Sequence, residues 1–225
     1  MATSLVLGST GATGSQILST LLTTTTTATT TTISRRLPET DSPNLRKIQE
    51  ANISNWPSLI RTLTPPPTTL FSALGSSSAA AGSIANQWKI DHDLVIDTAK
   101  AAREAGTKTV VFISSVGTRN FLIRQSVYGK MKNGVEDALK EMGFETVVVV
   151  KPGLIVGGGK APWLENFVGG LWNGVQDRLG QHKLVIGRAA VAAARIAGEG
   201  KAPEKYWVLG PADIVRLGRD EWVEE

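Results

Sequence analysis

A chain of 225 residues with 41% hydrophobic and 20% charged residues has the balance of an ordinary globular protein, long enough for one well-buried core, so a single domain over residues 1–225 is expected. It has no cysteine, which excludes disulfides, thiol nucleophiles and thiolate metal sites, and His92 and His182 are too far apart to suggest a metal centre. The net charge of +4 is modest, Lys and Arg are scattered rather than interleaved with aromatics as a nucleic-acid surface would have them, and no apolar run approaches the ~20 residues that span a bilayer.

The chain opens on a strand, a glycine-rich turn and a helix. Ser4 to Leu7 suits a buried strand, and Ile17, Leu18, Leu21 and Leu22 then recur at helical spacing. The change of period falls on Gly8-Ser9-Thr10-Gly11-Ala12-Thr13-Gly14. There Gly8 can turn the chain sharply, Gly11 lets backbone approach a diphosphate, and Gly14 lets helix pack close to strand. The N–H groups at the positive end of the helix, joined by the hydroxyls of Ser9, Thr10 and Thr13, make an anion cradle. The spacing is G-x-x-G-x-x-G rather than the usual G-x-G-x-x-G, so position, within ten residues of the amino terminus, adds much of its weight. With the first basic residue at Arg35, no cleavable presequence is expected and the mature chain should begin near Met1.

Thr23 to Ala28 reads as a surface connection, and the β-branched threonines that lead into Ile33 suit a second strand. At the carboxyl end of that strand a dinucleotide-binding fold meets the adenosine ribose, where an acid selects NAD and an arginine accommodates the 2′-phosphate of NADP. No Asp or Glu precedes Glu39, whereas Arg35 and Arg36 stand side by side, so the expected cofactor is NADP(H). Leu45 to Ala51 is weakly strand-like, and Trp56, Leu59, Ile60 and Leu63 suggest a short helix before Pro65. Thr68 to Gly75 reads as a strand running into a small-residue loop, with Ala73, Leu74 and Gly75 passing close to the cofactor; Ser76 to Ser83 is expected to be a mobile loop. From Gln87 to Ala105 a helix is expected, with Ile90, Leu94, Val95, Thr98, Ala102 and Ala105 on its buried face and His92 on the surface. Thr109 to Ile113 is another buried strand, closing on Ser114-Ser115. This alternation predicts a doubly wound parallel sheet with ligands at the carboxyl ends of its strands.

Tyr128 and Lys132 lie at i and i+4 of a helix whose apolar face carries Met131, Val135, Ala138, Leu139 and Met142. An ammonium beside a phenol should lower its pKa and make it a usable acid or base, giving its proton to a carbonyl oxygen as hydride arrives. Ser115 is placed to add a second hydrogen bond to that oxygen.

With these residues the chain resembles the atypical short-chain dehydrogenases/reductases, in particular the fungal mitochondrial-proteome reductases related to the mammalian Tat-interacting oxidoreductase. The resemblance rests on Gly8-x-x-Gly11-x-x-Gly14, Arg35-Arg36, Ser114-Ser115, Tyr128-x-x-x-Lys132 and Lys151-Pro152-Gly153, across roughly the first 155 residues. It implies a Rossmann fold, Ser115, Tyr128 and Lys132 as catalytic residues, Lys132 also on the nicotinamide ribose, and Pro152, Gly153 and Ile155 beside the nicotinamide after the strand Val147 to Val150. It also implies a location in the cytoplasm or peripheral on the mitochondrial outer membrane, not secretion. The family's active-site asparagine has no clear counterpart, and Lys151 stands where many members have Arg.

Residues 157–225 are expected to form a small substrate-side region. After Gly157-Gly158-Gly159, which reads as a hinge, Trp163, Leu164, Phe167, Val168, Leu171, Trp172 and Val175 mark a helix suited to core, lid or pocket wall. Its polar face, with Glu165, Asn166, Asn173 and Asp177, is too poor in basic residues to favour a peripheral membrane contact. Gly187 to Ala194 reads as a closely packing helix and Tyr206 to Leu209 as a last strand. The expected activity is NADPH-dependent reduction of a carbonyl on a small apolar substrate. The alternatives are an NADP(H)-binding sensor or scaffold without turnover, and an epimerase or isomerase using the same tyrosine.

Overall fold

Strands β1 (Thr3–Leu7), β5 (Thr109–Ile113) and β6 (Thr146–Val150) are buried at every residue, as runs of apolar and β-branched residues without alternation must be when a sheet is covered on both faces. The computed structural model describes residues 3–24, 28–157, 177 and 179–223. With β2 (Thr29–Ser34), β3 (Leu45–Gln49), β4 (Thr69–Ser72) and β9 (Tyr206–Leu209) these strands form a seven-stranded sheet of order β3-β2-β1-β4-β5-β6-β9, parallel at every pairing. The order reverses between β1 and β4, so a crevice opens outside their carboxyl ends. This is the expected Rossmann arrangement.

Helices cover the two faces. On one lie α2 (Trp56–Arg61), α5 (Leu94–Glu104) and α6 (Val127–Glu141), whose Trp56, Ile60, Val95 and Leu139 bury against Leu5, Phe112 and Val149. On the other, α1 (Ala12–Thr24) and α7 (Lys183–Gly198) bury Ile17, Leu21, Ile186 and a run of alanines against Val6, Phe71 and Val148. The expected small-residue helix is α7, and its Gly187 meets α1 so closely that an added Cβ would lie 2.7 Å from that of Gln16. A helix α8 (Pro211–Val215) and a π-helical turn (Arg216–Asp220) follow β9. A small second sheet pairs β7 (Leu154–Val156) with β8 (Gly180–His182) beyond the carboxyl edge of the main one. The apolar stripe from Trp163 to Val175 lies outside the described residues.

The threonine tract resolves as expected into a strand: Thr30 and Thr32 of β2 are buried, and the Thr32 hydroxyl sits 2.9 Å from the Val6 carbonyl oxygen and 2.6 Å from Ser9 Oγ. Two expectations are corrected. The segment expected as a mobile loop, Ser76 to Ser83, contains the short helix α3 (Ser78–Ala81), capped by Ser77, and Ser76 is held by Asp91 and Gln87. The expected helix from Gln87 is broken in register: α4 (Ile84–Trp88) joins α5 through a π-helical turn (Lys89–Asp93). A π turn inserts one residue, which slips the buried face. Asp91, 1% exposed, is therefore inside, Ile90 is only half-buried, and His92 packs against Gly134 of α6 rather than standing on the surface.

Gly14 carries the start of α1 against the turn before it, since an added Cβ would fall on the Gly8 carbonyl oxygen. Gly14→Ala should therefore lower stability by about 1–3 kcal/mol, read as a reduced urea midpoint. Gly11→Ala, whose Cβ would keep 3.2 Å from the same oxygen, should cost clearly less.

Candidate active site

At the carboxyl end of β1, Gly8 adopts φ +84°, and a Cβ there would lie 2.6 Å from the Ala73 carbonyl oxygen. Glycine is thus required both by the turn and by the chain running past it from β4, which brings Ala73, Leu74 and Gly75 directly over the turn. Gly11 N–H donates to the Gly8 carbonyl at 2.9 Å and closes the loop. The three expected hydroxyl donors separate: Ser9 is buried against Thr32, Thr13 is buried in α1, and Thr10 is exposed. Ala12 begins the helix.

Beside this turn lies a groove of about 420 Å³ whose walls include Ser9, Thr10, Ser15, Arg36 and Pro38. Arg36 belongs to it, whereas the exposed Arg35 is not among its walls and offers its carbonyl to Gln49 Nε2 at 3.3 Å. Two buried hydroxyls without a hydrogen-bond partner, Ser34 Oγ and Ser72 Oγ, end β2 and β4 on either side of β1. A buried hydroxyl left unpaired is costly. Their placement across the crevice, with Arg36 at its rim and a glycine turn that admits no side chain, fits a polar, phosphorylated ligand such as a dinucleotide.

Two strands away, at the end of β5, stand Ser115, Tyr128 and Lys132. The start of α6 is set by Ser126, which caps it by accepting from Gly129 N–H at 3.0 Å. Gly129 in turn lies so close to the Ile123 carbonyl that no side chain fits there. One turn into the helix, Lys132 is 5% exposed; its ammonium donates to the Ile113 carbonyl at 3.1 Å and lies 4.8 Å from the centre of the Phe112 ring. Burial pulls its pKa down from 10.5 to about 8, against the opposing fields of Asp91 and Glu136. The choice of Ser115 over its neighbour has a structural reason. Ser114 donates to Glu136 Oε1 at 2.6 Å, while Ser115 lies beside the Tyr128 phenol and favours its ionised form.

The expected depression of the Tyr128 pKa is not found. Although the residue is 41% exposed, loss of hydration raises the phenol above its usual 10, Ser115 opposes this, and Asp91 adds to it. Lys132 does not offset the burial, because its ammonium is directed at the Ile113 carbonyl.

Sequence reasoning missed two buried acids. Glu136, 1% exposed and one turn beyond Lys132, receives hydrogen bonds from Ser114, from Lys151 Nζ at 2.8 Å and from Arg119 Nε at 3.2 Å. Its spacing was visible, since Tyr128, Lys132 and Glu136 fall at i, i+4 and i+8. Asp91 was hidden by the register slip of the π turn. Lys151 thereby ties the end of β6 to α6; the next turn is held by Val116 N–H on the Pro152 carbonyl at 2.9 Å and by Gly153 N–H on Gln181 Oε1 at 2.8 Å. Pro152, Gly153 and the half-buried Ile155 of β7 thus lie at the same edge of the sheet as Tyr128.

A doubly wound sheet with a glycine turn at its switch point and a Tyr-x-x-x-Lys helix after β5 defines a protein of the short-chain dehydrogenase type. The chain belongs to the NAD dependent epimerase/dehydratase family, whose model matches residues 4–146. It is 59% identical over 227 residues to "Protein fmp52-2, mitochondrial" of Aspergillus oryzae, covering 99% of each chain. It is 50% identical over 232 residues to "Protein fmp-52, mitochondrial" of Neurospora crassa, covering 97% of this chain and 96% of that one. Among solved structures, MoeE5 in complex with UDP-glucose and NAD superposes with a TM-score of 0.67 at 16% identity, over 98% of this chain and 81% of that one. The UDP-glucose 4-epimerase from Brucella ovis in complex with NAD gives 0.68 at 16% identity, over 96% and 81%. At such identities these two show the fold.

The burial of Lys132 makes a prediction about stability. Its folded pKa of about 8 lies below the unfolded 10.5, so between these values the unfolded chain binds more protons and wild-type stability should rise with pH. Replacing the residue by Met removes this dependence. Relative to Lys132→Met, wild type should gain about 3 kcal/mol between pH 8 and 10.5 in urea denaturation.

Proposed function

We propose that the protein is an NADPH-dependent oxidoreductase of the short-chain dehydrogenase/reductase type that reduces a carbonyl of a small apolar substrate, with Tyr128 as general acid. The supporting observation is that Ser115 and Tyr128 share the carboxyl edge of the sheet with the Gly8–Gly14 turn and the Arg36 groove. Only β4 separates β1 from β5, a spacing of about 10 Å. The backbone N–H groups at the start of α1, with Thr10, would hold the diphosphate, Arg36 the 2′-phosphate, and Pro152, Gly153 and Ile155 the nicotinamide side. Bound there, the cofactor supplies hydride. Tyr128 gives its proton to the carbonyl oxygen, and its raised pKa keeps that proton in place at neutral pH. Ser115 donates a second hydrogen bond to the same oxygen. Lys132 commits one ammonium hydrogen to Ile113 and keeps two, with which it would hold the cofactor ribose.

An apolar substrate is supported by Val116, Phe121, Leu122 and Val127, exposed by 45, 74, 85 and 42%, in the chain that runs from β5 to Tyr128. MoeE5 is described in complex with UDP-glucose, and the Brucella ovis enzyme as a UDP-glucose 4-epimerase. Those names and the family description favour epimerisation as a second reading, with Tyr128 as base; it would return the cofactor unchanged, so product analysis separates the two. A mitochondrial location is supported by the names of the relatives, and among the described residues no helix is long and apolar enough to cross a membrane.

Calorimetry should show tighter binding of NADPH than of NADH, and Arg36→Ala should weaken NADPH by about tenfold or more while changing NADH little. Tyr128→Phe should lower kcat for a carbonyl substrate by about 10²–10⁴ while the Kd for NADPH stays within about twofold. Unchanged turnover in that variant overturns the mechanism.

A further inference from the structure

Asp91 sits in the π-helical turn between α4 and α5 and is 1% exposed. Its Oδ1 accepts from the Ser76 N–H at 2.8 Å and from the Ser76 hydroxyl at 2.9 Å, and Gln87 Nε2 holds the Ser76 carbonyl at 3.0 Å. The segment that leaves β4 through Ala73, Leu74 and Gly75 is thereby fastened to the turn. Among the described residues no cation lies within ion-pair distance of this carboxylate, although a buried charge is ordinarily paired. The turn that carries it packs on α6, where His92 lies against Gly134, and its negative charge favours the Lys132 ammonium and disfavours the Tyr128 phenolate on that helix. The turn is what puts it there, because an unbroken α-helix would present Ile90 to the interior.

We propose that Asp91 is a positioning residue for the proton-transfer pair: it fastens the loop after β4 to the helix that precedes α5 and turns its negative charge toward both Lys132 and Tyr128. The proposal rests on the reading of Tyr128 and Lys132 as that pair. The charged and titratable groups around them are few. Lys132 faces Asp91 from the π turn and Glu136 from its own helix, Glu136 is itself held by Lys151 from β6 and Arg119 from the loop before α6, and Tyr128 faces Asp91 and Ser115. His92, the neighbour of Asp91, turns to Asp93 at 2.8 Å. The negative charge of Asp91 favours the ammonium and disfavours the phenolate, so it keeps a proton on both groups, the state in which Tyr128 acts as an acid. Removing the charge lowers both pKa values, and an activity that needs both protons then fails at lower pH.

Asp91→Asn keeps an oxygen for Ser76 and removes the charge. The chain has two tyrosines, so a Tyr206→Phe background leaves Tyr128 as the single phenol to titrate with ring-labelled tyrosine by NMR. In Asp91→Asn its midpoint should fall, and the alkaline limb of kcat/KM should move the same way, so that the rate at a fixed pH on that limb drops. Asp91→Glu should restore both in part. A midpoint unmoved in a folded Asp91→Asn variant that binds NADPH normally overturns the proposal, leaving Asp91 only as the anchor of Ser76. Should Asp91→Asn not fold, Ser76→Ala serves: it removes one hydrogen bond from the carboxylate and leaves the charge more strongly felt on α6, so the Tyr128 midpoint should rise, and one that does not rise overturns the proposal. The titration needs no turnover. A shifted midpoint in a protein that reduces no carbonyl keeps Asp91 and ends the reductase reading, whereas an unmoved one in an active reductase does the reverse.

Discussion

Backbone lies against backbone where β1 ends. Gly8 turns with positive φ under the Ala73 carbonyl, and Gly14 brings α1 onto the Gly8 carbonyl, so three segments converge with no side chain between them. Side chains elsewhere in a core can trade volume with their neighbours, but peptide groups in direct contact cannot. The crevice opens beside that contact: β1 and β4 stay paired to their ends, and the chain then leaves them for opposite faces of the sheet, into α1 on one side and toward α5 on the other.

A second constraint is electrostatic. The helix α6 carries Lys132 and Glu136 inward, each nearly inaccessible to water, and such groups persist only where partners compensate them. Glu136 gathers Ser114 from the end of β5, Lys151 from the end of β6 and Arg119 from the loop between β5 and α6. Three separate pieces of the carboxyl edge of the sheet are thus referred to one carboxylate. Lys151, noted as a departure from the arginine common in the family, makes this bond with a single ammonium and is 14% exposed at its side chain.

The layout of the protein was largely legible because its signals were local. The glycines at 8, 11 and 14 fall where an apolar run ends and a helical period begins, and the threonines before Ile33 carry β-branched stiffness even in a tract of low complexity. The Tyr128–Lys132 pair was found by spacing on one helix. What escaped was non-local or irregular. An extra residue in the turn at Lys89–Asp93 cannot be seen in a periodicity of 3.6, so Ile90 was read as core and Asp91 passed over. The direction of the Tyr128 pKa depends on where a neighbouring ammonium points and how much water is lost, and sequence spacing carries neither. Ser76 to Ser83 looked mobile from composition alone, but its anchors come from residues ten or more positions away.

The threonines of β2 have one more consequence. A string of identical residues holds no information about alignment, since sliding it by one place exchanges like for like. Its side chains mark the register most clearly where Thr32 meets Ser9 and Val6 and where Ile33 fills the core beside Leu7. A threonine added or lost before Thr29 should therefore leave the sheet in place and change only the chain leading into it.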